Sequence, residues 1–245
     1  MRSYGQYCPI ARAAELLAER WSILILRNVV ILGCRTFNEI ADGAPGLSRG
    51  LLSKRLRELE HAGVIEIRRK PDGPGSTYEP TDAGRALTKV MNELQAWGSK
   101  WAELTPEQAH PGVVLWMWAT FFLEHARLPR RRALVRFEYP TLSGPGSRAW
   151  LLIERGDAEL CEKYPGGEEH LVVVVNDPVI FARWHLGEIG WSSALRTGAI
   201  ELAGSASLAR ALPTWHREHD RGPQPLHGAE PKSGGAAMSA ALPSA

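Results

Sequence analysis

The sequence predicts an α+β protein built as two folded regions, and three observations carry that prediction. Apolar residues recur at helical spacing from Pro9 to Ala62, and an alternating run from Val64 to Arg69 follows them. A break containing Pro106, Pro111 and Gly112 falls at residues 104–112. Beyond it, one very apolar stretch, Val113 to Leu123, precedes several strand-like runs. The composition, 245 residues of which 44% are hydrophobic, excludes a disordered chain and suits one large or two small domains.

In the first region Pro9 suits the opening turn of a helix, with Ile10, Ala13, Ala14 and Leu17 on its inward face. Ser22 is placed to cap a second helix, Ile23 to Leu32, with Gly33 at its exit. Thr36 caps a short helix that turns Phe37 and Ile40 inward, and the loop 42–46 ends it. Ser48 caps a longer helix to about Ala62, which Gly63 stops. A strand over 64–69, a turn at 71–75 and a returning strand at 77–80 follow. That order of elements is a winged helix-turn-helix.

The helix after Ser48 has two faces. Leu52, Leu56 and Leu59 form one apolar stripe. Gly50, Ser53, Lys54, Arg57 and His61 lie opposite it. Small residues there let a helix backbone approach a major groove, while Lys and Arg reach phosphates or guanine edges. The net charge of +2 excludes indiscriminate coating of nucleic acid, yet residues 49–70 hold seven basic side chains against three acidic ones. Arg69 and Lys70 extend the basic surface onto the hairpin. Double-stranded DNA is therefore the expected partner, through Ser48, Arg49, Gly50, Ser53, Lys54, Arg57, Arg69 and Lys70. The alternative is a solvated basic face on an ordinary amphipathic helix. Gly46-Leu47-Ser48-Arg49-Gly50 also matches the G-x-S-x-G nucleophile elbow, but a loop rather than a strand precedes the serine, so Ser48 reads as a cap and no enzyme is expected.

These residues resemble a known family. Tyr4-Gly5-Gln6-Tyr7-Cys8-Pro9, Glu19-Arg20-Trp21, Phe37-Asn38-Glu39-Ile40, the run Leu47 to Leu59, and Tyr78-Glu79-Pro80-Thr81-Asp82-Ala83-Gly84 are similar to HxlR-type transcriptional regulators over about residues 4–102. The resemblance implies a dimeric winged-helix repressor or activator. Its recognition helix would be Ser48–Ala62 and its wing Val64–Pro80, although this wing has no basic residue between Lys70 and Pro80. Ala83, Leu87, Val90, Leu94, Trp97 and Trp101 repeat at spacings of a heptad seam, the expected homodimer surface on a palindromic operator. Intramolecular packing would need the same stripe.

The expected domains are residues 1–103 for DNA binding and dimerisation, a linker at 104–112, a second domain at 113–218 and a disordered tail at 219–245, rich in Gly, Pro, Ala and Ser. In the second domain the spacing predicts strands over 134–139, 149–154, 158–164 and a buried-looking one over 171–176, with helices at 178–186 and 207–212. The segment from Asp177 to Trp215, with Trp184, Gly187, the run Trp191 to Ile200 and Gly204, resembles the end of a sterol-carrier-protein-like α+β domain. Such a domain encloses an apolar tunnel, so an apolar small-molecule effector is expected, with Trp116, Trp118, Phe121 and Phe122 as candidate lining. Plain core is the other account of those four rings.

Three scattered cysteines make neither a disulfide framework nor a zinc site. Cys8 is either an inert thiol or, as in some members of the resembled family, a redox sensor. His216 and His219 lack a third ligand, so no metal and no cofactor are expected. No signal peptide and no stretch of the ~20 apolar residues that a bilayer demands are present, so a cytoplasmic protein with no membrane contact is expected. The remaining alternative is a lipid carrier whose winged helix serves only for protein contacts and dimerisation.

Overall fold

The structure is a computed structural model that describes residues 3–70 and 73–217. The described chain divides into two compact units, one running to Glu103 and one starting at Leu104. The predicted tail, 219–245, and the His219 of the histidine pair lie outside the described residues.

The first unit opens with α1 (Pro9–Leu17), its proline in the first turn where no N–H is needed. The expected inward face of α1 stays uncovered: Ile10 is 80% exposed, and no residue of the helix is buried. The second helix also departs from expectation. Ser22 is its first residue and is buried; the cap is Trp21, held at φ 80° with no side-chain hydrogen bond. After α2 (Ser22–Leu26) the chain widens into a π-helical turn, Arg27–Ile31.

That turn supports the next helix, α3 (Phe37–Asp42). A six-residue helix leaves its last carbonyls without intrahelical partners. Asn28 Nδ2 donates to Ile40 O at 2.9 Å, and Arg27 Nη2 donates to Gly43 O at 2.6 Å and to Asn28 Oδ1 at 2.9 Å. Asn28 is fully buried, so removing its amide would orphan a buried carbonyl. At the other end Thr36 caps the helix as expected, and Glu39 completes a capping box with it.

Helix α4 (Arg49–His61) is capped by Ser48, whose Oγ accepts from Leu51 N at 3.3 Å, and Gly63 at φ 71° terminates it. Strands β1 (Ile65–Arg69) and β2 (Ser76–Pro80) pair antiparallel from Ile65 opposite Pro80 to Arg69 opposite Ser76. Helix α5 (Asp82–Trp101) then runs for 20 residues from its Thr81 cap. The core beneath α4 holds Ile25, Leu26, Val29, Ile40, Leu52, Leu56 and Leu59.

Cys34 sits in that core, fully buried. Burial first, then the carboxylate of Glu39, pushes its thiol from 9.0 up to about 12, against a smaller pull from Arg27 and Arg35. The unfolded chain loses this proton first. Folding stability is therefore expected to be indifferent to this thiol below pH 9 and to fall by ~1.4 kcal/mol per pH unit from there toward pH 12. A Cys34→Ala chain lacks that component, so its alkaline unfolding profile should be shallower; a profile parallel to that of the unaltered protein would contradict this.

The second unit opens with α6 (Pro111–Phe121), two residues earlier than the spacing predicts because Pro111 fits the first turn. Strands β3 (Ala133–Glu138), β4 (Arg148–Glu154), β5 (Asp157–Cys161), β6 (Leu171–Val175) and β7 (Ile200–Gly204) form one sheet in the order β5-β4-β3-β6-β7. Only β3 and β6 pair in parallel. Helices α7 (Pro178–His185), α8 (Trp191–Arg196) and α9 (Ala206–Ala211) complete the unit. The sheet's core face carries Phe137, against which Trp118 of α6 and Phe181 of α7 pack at ring distances of 6.1 and 6.4 Å.

The valine run of β6 is not buried on both faces. Leu171, Val173 and Val175 are buried while Val172 and Val174 are half-buried, because the opposite face of the sheet carries polar groups. There Trp150 donates to Glu169, and Arg136 lies between Glu138 and Glu169. Strand β5 stops at Cys161, three residues short of the predicted end, and β7 falls where no strand is predicted. No helix among the described residues is long and apolar enough to cross a membrane.

Candidate nucleic-acid interface

The residues singled out on the basic helix lie at exposed or half-buried positions of α4, whose leucines are buried. Leu52, Leu56 and Leu59 are at most 1% exposed, which fixes the rotation of α4 and turns Ser48, Arg49, Gly50, Lys54 and Arg57 outward. Ser53 is half-buried, and its Oγ accepts from Arg57 Nη1 at 3.2 Å. A methyl group added at Gly50 would meet nothing within 4 Å. The preceding segment is a turn, not a strand, so Ser48 has the surroundings of a helix cap and not those of a nucleophile elbow.

The basic residues differ in their partners. Arg55 is structural: its guanidinium reaches Glu19 at 2.7 Å and Glu58 at 2.6 Å and is largely covered. Arg68 is paired with Glu66 at 2.6 Å. Lys54 is 4.0 Å from Glu58, whose carboxylate is already held by Arg55. Arg57, Arg69 and Lys70 have no carboxylate partner among the described residues, and Arg49 forms no ion pair but lies within the electrostatic reach of Asp42. Seven cations are thus reduced to four outside any ion pair and one weakly paired, all at the surface side of the helix and hairpin.

Two features were not visible from the helix alone. Arg49 is gripped by α3: its Nη2 donates to Asn38 Oδ1 at 2.8 Å, and its guanidinium lies 4.8 Å from the centroid of the Phe37 ring. Phe37 is therefore half-buried, not turned into the core as expected. The wing end is closed by Lys70 N donating to Gly75 O at 3.1 Å, with Arg69 exposed beside it. The Glu58 spacing to Lys54 and Arg55 was a readable signal for the pairing on α4.

The heptad-spaced residues lie along α5. Leu87 is half-buried; Ala83, Val90, Leu94, Trp97 and Trp101 are exposed, the two tryptophans at 61% and 66%. Cys8 is the half-buried cap residue of α1 and borders a shallow concavity with Tyr4, Gln6, Ile10, Ala11 and Ala14. In the second unit, Trp118, Phe121 and Phe122 are buried and Trp116 is half-buried. Their rings face other rings: Trp116 on Phe121 at 5.4 Å, Trp118 on Trp184 at 5.6 Å, Phe122 on His185 at 5.2 Å. They form a packed aromatic cluster.

Comparison with known proteins agrees with the geometry of the first unit. A family model described as HxlR-like helix-turn-helix matches residues 16–106. The chain is 35% identical over 101 residues to the uncharacterized HTH-type transcriptional regulator YvaP of Bacillus subtilis, covering 40% of this chain and 93% of that one. It is 37% identical over 98 residues to the HTH-type transcriptional regulator YodB of the same organism, covering 39% of this chain and 87% of that protein. A solved structure of reduced YodB covers 40% of this chain and 97% of its own, at 35% identity and a TM-score of 0.35. The matched segment carries the helix-turn-helix, the hairpin and the long helix after it, and the chain belongs to the HxlR-like helix-turn-helix family of DNA-binding transcriptional regulators.

Proposed function

We propose that the chain binds a palindromic operator as a homodimer, with α4 in the major groove and the hairpin as a wing on the adjacent backbone. One observation carries this: α4 is clamped by three buried leucines and offers a small residue, Gly50, between outward-facing Arg49, Lys54 and Arg57. Ser48, Ser53, Arg69 and Lys70 complete the DNA-facing surface. The unpaired cations supply the phosphate attraction, and the open space at Gly50 permits close approach. The uncovered apolar residues of α5, together with those of α1, support dimerisation.

Gly50→Ala tests the proposal by separating stability from binding. Alanine in an exposed helix position is expected to stabilise the fold by ~0.5–1 kcal/mol. The same methyl stands between the helix and the groove, so operator affinity is expected to fall. A variant that gains stability and binds operator unchanged would remove α4 from the groove.

The domain limits 1–103, 104–112 and 113–218 belong to the same proposal, with the second domain as a sterol-carrier-like module modulated by an apolar molecule. The five-stranded sheet with α6 and α7 packed on one face supports it. An effector would have to separate rings that now touch. A purified chain that takes up no hydrophobic probe would remove this part.

A thiol switch at Cys8 is a second reading. Cys34 is buried and held protonated, whereas Cys8 borders an open concavity at the head of α1. Solved structures of the relative YodB are described as reduced, diamide-treated and quinone-bound. Oxidant-dependent release of DNA that persists in Cys8→Ser would exclude it.

A further inference from the structure

Arginines gather in the second unit where β3 begins and the β4–β5 hairpin turns. Arg130-Arg131-Arg132 leads into β3, and Arg155-Gly156 is the two-residue turn between Glu154 and Asp157. The N–H of Arg155 donates to the carbonyl of Arg130 at 3.2 Å. That bond sets Arg130 beside Arg155, with Arg131 next to it in the chain. Arg131, Arg132 and Arg155 are exposed.

The acids nearby are already engaged. Arg132 Nε is 2.9 Å from Glu154, and its Nη2 donates to Gly166 O at 2.9 Å. Asp157 faces His125 at 3.4 Å. Arg130, Arg131 and Arg155 have no carboxylate partner among the described residues.

This arrangement works against the fold in two ways. Arg155 is held at φ 56° and Gly156 at φ 83°, a turn whose first position favours Asn or Gly over a long L side chain. Like charges are also gathered at one end of the sheet, where the Arg155 N–H meets the Arg130 carbonyl. A polyanion laid across the three guanidiniums removes the repulsion and gives the strained residue a use.

We propose that Arg130, Arg131 and Arg155 form a second, sequence-independent attachment to the DNA backbone, outside the helix-turn-helix. The inference rests on operator binding through α4. Duplex DNA is favoured over a lipid surface because the apolar residues beside the cluster, Leu128 and Ala133, are buried and offer nothing to insert.

The test uses the full chain, its own upstream DNA as a long labelled duplex, and anisotropy over a series of salt concentrations. Arg155→Asn is expected to raise the melting temperature, because it relieves the turn, while the slope of log K against log salt becomes shallower by about 0.9 for each phosphate no longer neutralised, one per protomer. Adding Arg130→Gln and Arg131→Gln should continue that decrease and leave the preference for operator over scrambled duplex unchanged. If the unaltered chain binds operator and the triple variant keeps the same slope, the inference is overturned and the α4 reading stands. Loss of binding to anionic vesicles with an unchanged DNA slope would assign the cluster to lipid and overturn it as well. A chain that binds no DNA overturns both.

Discussion

Replacing Gly84 with alanine is expected to destabilise the N-terminal unit by about 2–3 kcal/mol, at the upper end of what overpacking a rigid neighbour costs. Gly84 lies in the first turn of α5, where a Cβ would sit 2.1 Å from the carbonyl oxygen of Val64 and 3.2 Å from its carbon. Those are backbone atoms at the start of the hairpin, so no side chain can swing aside. The same junction is tied by Thr81 N donating to Val64 O at 3.2 Å and Thr81 Oγ1 donating to Gly63 O at 2.6 Å. Relieving the clash moves the hairpin away from α5 and disturbs the wing. The melting temperature should drop by roughly 10–20 °C for a unit of this size. Gly50→Ala, a methyl in open space, should move it the other way. A Gly84→Ala chain melting within a few degrees of the unaltered one would contradict the packing of α5 on the hairpin.

The second large effect is expected on α5 itself. Trp97 and Trp101 are exposed at 61% and 66%, on a helix whose buried residues are Gly84 and Met91. Aromatic residues left in water at heptad spacing are the kind that anchor an interface, where each contributes about 2 kcal/mol or more. Trp97→Glu with Trp101→Glu should leave the helical content unchanged, because neither side chain is core. It should convert the proposed dimer to a monomer in light scattering. Operator affinity should fall at least ~10²-fold once two half-sites are no longer engaged together. A double variant that remains dimeric would place the interface elsewhere.

How much of this was legible in the sequence depended on whether the cause was local. The caps at Thr36 and Ser48, the stop at Gly63 and the leucine stripe of α4 follow from neighbouring residues, and they stand where the spacing predicts. The α2 segment misled, because the helix is started by Trp21 in a left-handed conformation and widened at Arg27 to satisfy carbonyls 12 to 16 residues away. No window of local sequence contains that demand. The β6 run Leu171 to Val175 misled for a similar reason: which sheet face is covered is decided by α6 and α7, not by the valines. At the site, the positions of the cations were readable, but their availability was not. Arg55 is taken by Glu19, 36 residues earlier, and Arg49 is aimed by Phe37 and Asn38 from the preceding helix.

Whether α4 reads DNA through its outward cations is decided most directly by one comparison. The unaltered chain and a Lys54→Ala, Arg57→Ala variant are titrated onto a duplex of the protein's own upstream DNA at several salt concentrations. Both side chains are exposed and outside the core, so the variant should fold normally. The unaltered chain should bind specifically and more weakly as salt rises. The variant should show a salt slope shallower by about 0.9 for each phosphate released, and a penalty of roughly 1–3 kcal/mol wherever either side chain reads a base. Operator binding of unchanged affinity and unchanged salt slope in the variant would contradict the assignment of α4 to the groove.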